Sequence, residues 1–182
     1  YHGGVAKEDI QKENLQALEE GIHNLLRHVD NIKNKFGLNV IVAINKYVDD
    51  TQAEIDLLRN KLEEKGINLS LVEAWGKGGE GAKDLASKVV ELCEKEDNLE
   101  YMYELEDSIQ TKVEKVATKI YGATGVEFSD EALQTIKQIE KLGYGNLPIC
   151  IAKTQYSFSD DPKNLLCKEP FKIHVSEVNL RT

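Results

Sequence analysis

Residues 39 to 92 alternate between strand and helix patterns, and this alternation constrains the fold more than any other feature of the sequence. Asn39 to Ile44 is a short, nearly unbroken apolar run rich in Val and Ile, which is typical of a strand covered on both faces. Thr51, with Glu54 three residues later, is a capping-box signature, and the helix that it predicts ends at Gly66. The apolar stripe of this helix is Ile55, Leu58 and Leu62.

A second candidate strand, Ile67 to Trp75, leads into a glycine loop and then into another helix. The loop reads Trp75-Gly-Lys-Gly-Gly-Glu-Gly81. The order strand, helix, strand, loop, helix predicts a parallel-sheet α/β unit with right-handed crossovers. Ahead of it, an amphipathic helix pattern begins at Leu15, with Gly37 as its predicted end. The helix after the loop is marked by Leu85, Val89 and Leu92.

From Lys95 to Glu104 the composition becomes polar and charged, which predicts a linker. We therefore expect two domains: residues 1–97, part of an α/β domain, and residues 98–182, a smaller α+β subdomain that is truncated at its end. The second domain should hold two helices, one marked by apolar residues from Leu105 to Ile120 and one capped by Ser129. Its predicted strands are an apolar run, Leu147 to Ala152, and the alternating Phe171, Ile173 and Val175.

Composition argues against several classes of function. The chain has 32 acidic against 23 basic residues and a net charge of -9, which would repel a nucleic-acid backbone. No apolar run is long enough to cross a membrane. The three cysteines are widely spaced and predict reduced thiols in a cytoplasmic protein. His23, His28 and His174 show no metal or triad spacing, so we expect solvated side chains and no metal site.

The glycine loop allows more than one interpretation. Gly76-x-Gly78-x-x-Gly81 fits the dinucleotide fingerprint, but a nicotinamide site also needs a second strand that ends in an acid about 20 residues on. Here that stretch, Glu91 to Glu100, is too polar for a buried strand. A plain turn before a helix remains an alternative. Lys77, beside backbone N–H groups, favours an anion or ligand site.

Two other nucleotide motifs are incomplete. Asn45-Lys46 ends a predicted strand as the NKxD motif of GTPases does, but the acid comes one place late, at Asp49. No G-x-x-x-x-G-K-[ST] sequence is present, and the nearest match has Ala82 in place of the lysine. We therefore expect these 182 residues not to cradle a triphosphate in the usual way.

Tyr47 and Trp75 each follow the carboxyl end of a predicted strand. In open α/β sheets that edge is where ligands bind, and two aromatic rings there could sandwich a flat heterocycle. For either ring taken alone, core packing is the more frequent explanation.

Several stretches together resemble formate-tetrahydrofolate ligase, over the full 182 residues. They are His2-Gly-Gly-Val, Val42-Ala-Ile-Asn-Lys-Tyr47, Asp50-Thr51 with Glu54, the Trp75–Gly81 loop, Leu105-Glu-Asp, Ile120-Tyr-Gly-Ala, Gly143-Tyr-Gly-Asn-Leu-Pro148, Ala152-Lys-Thr-Gln-Tyr-Ser157 and Ser159-Asp-Asp-Pro162. The resemblance implies a P-loop-type α/β fold. It also implies ATP-dependent formylation of tetrahydrofolate to 10-formyltetrahydrofolate through formyl phosphate.

The resemblance also implies site residues. Tyr47 and Trp75 correspond to the two rings that hold the pterin, although Phe is usual at the first position. Lys77, Gly78, Gly79 and Glu80 are further folate-binding candidates, with Lys77 and Glu80 near the reacting or tail end of the folate. Solvation of the loop by Lys77 and a favourable first-turn position for the acid of Glu80 explain these two residues equally well. No role is assigned to the loop Lys153 to Tyr156.

The family chain is about three times as long, and its phosphate-binding loop lies upstream of the matching region. The resemblance therefore implies a piece that carries the folate side, lacks the main catalytic groups and is inactive by itself. The whole enzyme is implied to use formate, tetrahydrofolate and ATP with Mg, and to be a homotetramer. A stand-alone folate-binding module is the alternative.

Overall fold

A computed structural model describes residues 1–181, which form two compact units, Tyr1–Leu99 and the chain from Glu100 on. The first unit contains α1 (Leu15–Asp30), β1 (Ile41–Asn45), α2 (Gln52–Glu63), β2 (Asn68–Val72), the short α3 (Ala74–Lys77) and α4 (Lys83–Cys93). Single helical turns lie at Lys7–Asp9, Asn31–Lys35 and Gly78–Ala82. The second unit contains α5 (Ile109–Lys119), β3 (Val126–Phe128), α6 (Asp130–Lys141) and β4 (Ile173–Val175).

The first unit is built around two parallel strands. β1 pairs with β2 in a register that sets Ile41 beside Asn68 and Asn45 beside Val72, and α2 connects the two strands. This confirms the strand–helix–strand order. The expectation that β1 is covered on both faces is wrong, because Ala43 in its centre is exposed. The core of the unit contains Val29, Val42 and Leu62, with Leu25, Leu26, Val40, Ile44, Ile67 and Leu69 packed against it.

The capping box of α2 is confirmed. The Thr51 hydroxyl accepts a hydrogen bond from the Glu54 N–H at 3.3 Å, and the Glu54 carboxylate accepts one from the Thr51 N–H at 3.2 Å. The same carboxylate accepts a hydrogen bond from the N–H of Asn14, the N-cap residue of α1. Glu54 therefore links the beginnings of both helices. Ile55 and Leu62 are buried as predicted, while Leu58 is only half-buried.

The glycine segment differs from the expected loop. After β2 the chain forms the short helix α3 and one 3₁₀ turn, Gly78–Ala82, before α4 begins. Gly78 has φ +57°, a conformation that glycine adopts without steric penalty. The segment is therefore a compact series of turns, because consecutive backbone hydrogen bonds close it onto the end of β2.

In the second unit α5 begins later than the apolar pattern suggested. Its N-cap is Ser108, whose hydroxyl accepts a hydrogen bond from the Thr111 N–H, so Leu105 lies outside the helix and is exposed. α6 begins after Ser129, as predicted, because that hydroxyl accepts the Ala132 N–H at 3.0 Å. The inward residues of α6 are Ile136 and Ile139, with Leu133 half-buried.

Of the second pair of strands, only β4 was predicted from the sequence. β4 contains Ile173 and Val175 as expected, but Phe171 lies before it, and its partner β3 was not expected. The two strands are parallel and set Val126 beside Ile173. The expected strand at residues 147–152 is absent, since those residues have no regular structure.

Candidate functional site

Tyr47 and Trp75 lie at the same edge of the β1–β2 sheet. Asn45 and Val72 are paired at the carboxyl ends of the two parallel strands, and the two aromatic residues follow them by two and three positions. Their side chains are open to solvent, Tyr47 at 59% and Trp75 at 80% of full exposure. Core packing therefore does not explain either ring.

Tyr47 is held by a tight turn. The N–H of Lys46 donates to the Val72 carbonyl oxygen at 2.9 Å, which extends the strand pairing by one residue. The next N–H, that of Tyr47, donates to the Asp50 carboxylate at 2.7 Å, and the Asp50 N–H donates back to the Tyr47 carbonyl at 3.3 Å. The backbone of Tyr47 is thus fixed while its ring remains exposed.

Trp75 lies in a turn that is closed by the backbone of Glu73. The Glu73 carbonyl oxygen accepts hydrogen bonds from the N–H groups of Gly76 and Lys77 at 3.1 and 2.9 Å. The Glu73 N–H donates to the Gly81 carbonyl at 3.0 Å, so the far end of the glycine segment returns to its start. Gly81 lies so close that a β-carbon there would be 2.5 Å from the Glu73 carbonyl carbon. The segment therefore closes only with glycine at position 81.

The Glu73 side chain forms ion pairs with two lysines at this edge of the sheet. Its carboxylate lies 2.5 Å from the Lys77 ammonium group and 3.9 Å from that of Lys46. The hydrogen bond from Lys77 holds the pKa of Glu73 below its usual value, with a smaller contribution from the charge of Lys46. Glu73 was not predicted from the sequence, and Lys46 was considered only as part of an incomplete nucleotide motif. The spacing of Glu73 and Lys77, four residues apart, was the available signal.

The remaining predicted site residues lie in the same series of turns. Glu80 is exposed, and its carboxylate lies 2.7 Å from the Lys83 ammonium group. An acidic residue in the first turn of a helix is favourable there without any ligand. A β-carbon on Gly78 or Gly79 would meet nothing within 4 Å. Packing within the chain therefore does not require glycine at position 79. Position 78 favours glycine because its φ is positive.

Two clefts lie elsewhere in the first unit. One, of about 300 Å³, opens near the amino ends of the two strands and is lined by residues that include Ile41 and Asn68. The other, of about 220 Å³, is lined by Tyr1, Asn14 and Glu54 among others. Neither cleft includes Tyr47 or Trp75, so the aromatic edge is an open surface platform.

In the second unit the loop Lys153 to Tyr156 is organised from within. The Lys153 ammonium group donates to the carbonyl oxygens of Thr154, Ser157 and Ser159, and it lies 4.9 Å from the centre of the Tyr121 ring. Burial lowers the pKa of Lys153. The residues from Ser157 to Ser159 are buried, so this lysine supports a folded turn rather than projecting into solvent.

His174 is exposed, as expected from the sequence, but it also has carboxylate partners. Its side chain is exposed but not free, because Nδ1 lies 2.8 Å from the Asp160 carboxylate and Nε2 lies 3.4 Å from that of Glu127. The backbone N–H of His174 also donates to Asp160 at 2.7 Å. Burial opposes ionisation of Asp160, but the hydrogen bonds from His174 outweigh it and lower the pKa of Asp160.

Across residues 1–181 no group of three or more His, Cys, Asp or Glu side chains is arranged to hold a metal ion. Over the same residues, no helix is both long and apolar enough to traverse a lipid bilayer.

Comparisons with known proteins agree with this arrangement of motifs. The family model described as "Formate--tetrahydrofolate ligase" matches residues 1–182. The chain is 49% identical over 177 residues to the formate-tetrahydrofolate ligase of Symbiobacterium thermophilum, a match that covers 97% of this chain. It spans 32% of the length of that relative. A whole-chain match to the family, with this level of identity, establishes that the chain belongs to the formate-tetrahydrofolate ligase family.

Proposed function

We propose that this chain forms the folate-holding surface of a formate-tetrahydrofolate ligase, with the pterin ring stacked between Tyr47 and Trp75. The observation that carries the proposal is the position of two exposed aromatic rings beyond the carboxyl ends of two paired parallel strands. The pyrimidine half of the tetrahydropterin ring is flat and conjugated, and stacking contributes about 0.5–1.5 kcal/mol per aromatic pair beyond area burial. Contact with an aromatic side chain on each face would orient the pterin ring for reaction.

The rigid turns below the rings support this assignment. The Tyr47 backbone is hydrogen-bonded to Asp50, and the two residues after Trp75 are hydrogen-bonded to the Glu73 carbonyl oxygen. The ligand therefore does not need to order the main chain at either ring. Preorganisation of this kind lowers the entropy lost on binding. The platform is therefore suited to a small planar ligand despite its exposure.

In the proposed reaction, the whole enzyme uses Mg-ATP to convert formate to formyl phosphate and transfers the formyl group to tetrahydrofolate. This chain is assigned the folate side only. Its 182 residues contain no G-x-x-x-x-G-K-[ST] loop, so the phosphate chemistry is assigned to other parts of a P-loop-type α/β enzyme. We expect the chain alone to bind folate without turning it over. A cytoplasmic homotetramer is the proposed form of the whole enzyme.

The glycine segment has a proposed part in the same site. Lys77, Gly78, Gly79 and Glu80 begin two residues after Trp75 and belong to the turns that close onto the Glu73 backbone. The absence of side chains at Gly78 and Gly79 leaves open space, which a ligand can approach closely. We assign these four residues to the part of the folate beyond the pterin.

Fluorescence of Trp75 tests the proposal, since this is the single tryptophan of the chain. Titration with tetrahydrofolate should give saturable quenching that is lost in Tyr47→Ala. The matched control is Tyr101→Ala, which removes another highly exposed tyrosine, in the second unit. Quenching that survives in Tyr47→Ala, or that is absent from the unaltered chain, would contradict the proposed platform.

A further inference from the structure

We propose that Lys46 and Lys77 form a carboxylate-binding subsite that takes the negatively charged glutamyl tail of the folate. This inference rests on the proposed function, because it places the subsite beside the pterin platform. Lys46 directly precedes Tyr47, and Lys77 follows Trp75 by two residues. Each ring therefore has a lysine next to it in the chain.

The two lysines are held together by one carboxylate. Glu73 lies 2.5 Å from the Lys77 ammonium group and 3.9 Å from that of Lys46, although the lysines follow different strands. Without Glu73 the two ammonium groups would repel each other. Glu73 thus acts as a positioning residue that brings two cations to the same edge of the sheet.

This cluster keeps a net charge of one positive unit, since it contains two lysines and one carboxylate. An ammonium group has three hydrogen-bond donors, and the carboxylate of Glu73 uses one of those on Lys77. The Lys77 side chain is 60% exposed, so its other donors can reach a ligand. In a chain of net charge -9, a cationic cluster at the same edge of the sheet as two exposed rings selects for an anionic group on the same ligand.

Folate has the matching chemistry. Its pterin ring is uncharged, and its glutamyl end carries two carboxylates at neutral pH. With the ring between Tyr47 and Trp75, a carboxylate at the Lys46–Lys77 cluster would add charge attraction to stacking. That attraction should weaken as salt increases, because both lysines are partly exposed.

The test compares two ligands by calorimetry: folic acid, and 6-methylpterin, which has the ring without the tail. We expect Lys77→Gln to weaken folic acid binding about two- to fivefold at low salt, the range for an exposed ion pair. Binding of 6-methylpterin should not change. The control Lys12→Gln, which breaks the exposed Lys12–Asp9 pair of similar geometry, should change neither affinity.

Trp75→Ala separates this inference from the proposed function, since it should weaken both ligands. Equal affinities of unaltered chain and Lys77→Gln for folic acid, with 6-methylpterin also bound, would overturn the tail subsite and leave the ring platform standing. Failure of the unaltered chain to bind either ligand would overturn the platform and the subsite together. Loss of salt dependence in Lys77→Gln, seen for folic acid only, would support the subsite.

Discussion

Gly81 lies directly against the backbone of Glu73. Its carbonyl oxygen accepts the Glu73 N–H at 3.0 Å, and a β-carbon at Gly81 would stand 2.5 Å from the Glu73 carbonyl carbon and oxygen. This contact closes the turns that carry Trp75 and brings the Glu73 side chain to the two lysines. The geometry of the proposed folate edge therefore depends on a glycine that lies six residues beyond the tryptophan.

Replacement of Gly81 by alanine should disrupt the contact between residue 81 and the Glu73 backbone. The added β-carbon meets backbone atoms that cannot rotate away, so we expect a loss of about 1–3 kcal/mol in the free energy of unfolding. Urea unfolding followed by circular dichroism measures the loss, and Trp75 emission reports the change at the turn. The matched control is Gly79→Ala, whose β-carbon would meet nothing within 4 Å. Equal stability of the two variants would contradict the closure.

Lys112 should be a stabilising residue of the second unit despite its charge. Its side chain is fully buried, and its ammonium group donates to the carbonyl oxygens of Gly145 and Leu147 at 2.8 and 2.9 Å. Lys112→Met would leave both carbonyls without this donor, so we expect a loss of about 2–4 kcal/mol in urea unfolding. The exposed Lys137→Met, on α6, should lose less than about 0.5 kcal/mol. Similar losses in both variants would refute the role of Lys112.

Asp107 should make the second unit sensitive to acid. Its carboxylate accepts hydrogen bonds from the Lys115 ammonium group at 2.5 Å and the Glu104 N–H at 2.9 Å, and these lower its pKa. Because the folded-state pKa is below the ordinary value of about 3.9, the stabilisation is present above that value. It is lost as the pH falls through the folded-state pKa.

Urea midpoints measured from neutral pH down to acid should show the loss of this stabilisation by Asp107. Asp107→Asn should be less stable than the unaltered chain at neutral pH, and the difference should shrink in acid. The exposed Glu169→Gln serves as the control and should follow the unaltered chain throughout. A difference between Asp107→Asn and the unaltered chain that stays constant with pH would rule out the ion pair as its cause.

Local signals predicted the elements that local interactions build. Thr51 and Ser129 cap their helices through side-chain contacts within three residues, so sequence spacing alone locates them. The parallel pairing of β1 with β2 was equally accessible, since a helix of ordinary length must connect them. The positions of Tyr47 and Trp75 at one edge followed from that pairing.

Features that depend on distant partners were not predictable. β3 is only three residues long, and it exists because β4, more than forty residues later, pairs with it. Lys112 reads as a polar residue of α5, yet carbonyl groups from residues 145 and 147 allow it to be buried. At residues 147–152 the apolar composition suggested a strand, but Pro148 lacks the N–H that a strand ladder needs.

The Lys46–Glu73–Lys77 cluster has the same origin. Lys46 and Glu73 are 27 positions apart in the sequence and meet only because their strands are paired. Glu73 and Lys77 are four residues apart in the sequence. That spacing predicts a contact only where the chain is helical, as it is in α3.

The most direct measurement of the central claim is the NMR contact map of a bound folate analogue. In the complex of this chain with folic acid, intermolecular nuclear Overhauser effects should connect the pterin H7 proton with ring protons of both Tyr47 and Trp75. Such contacts would place the pterin between the two rings. Contacts from H7 to only one of the rings, or to residues lining either of the two clefts, would contradict the account.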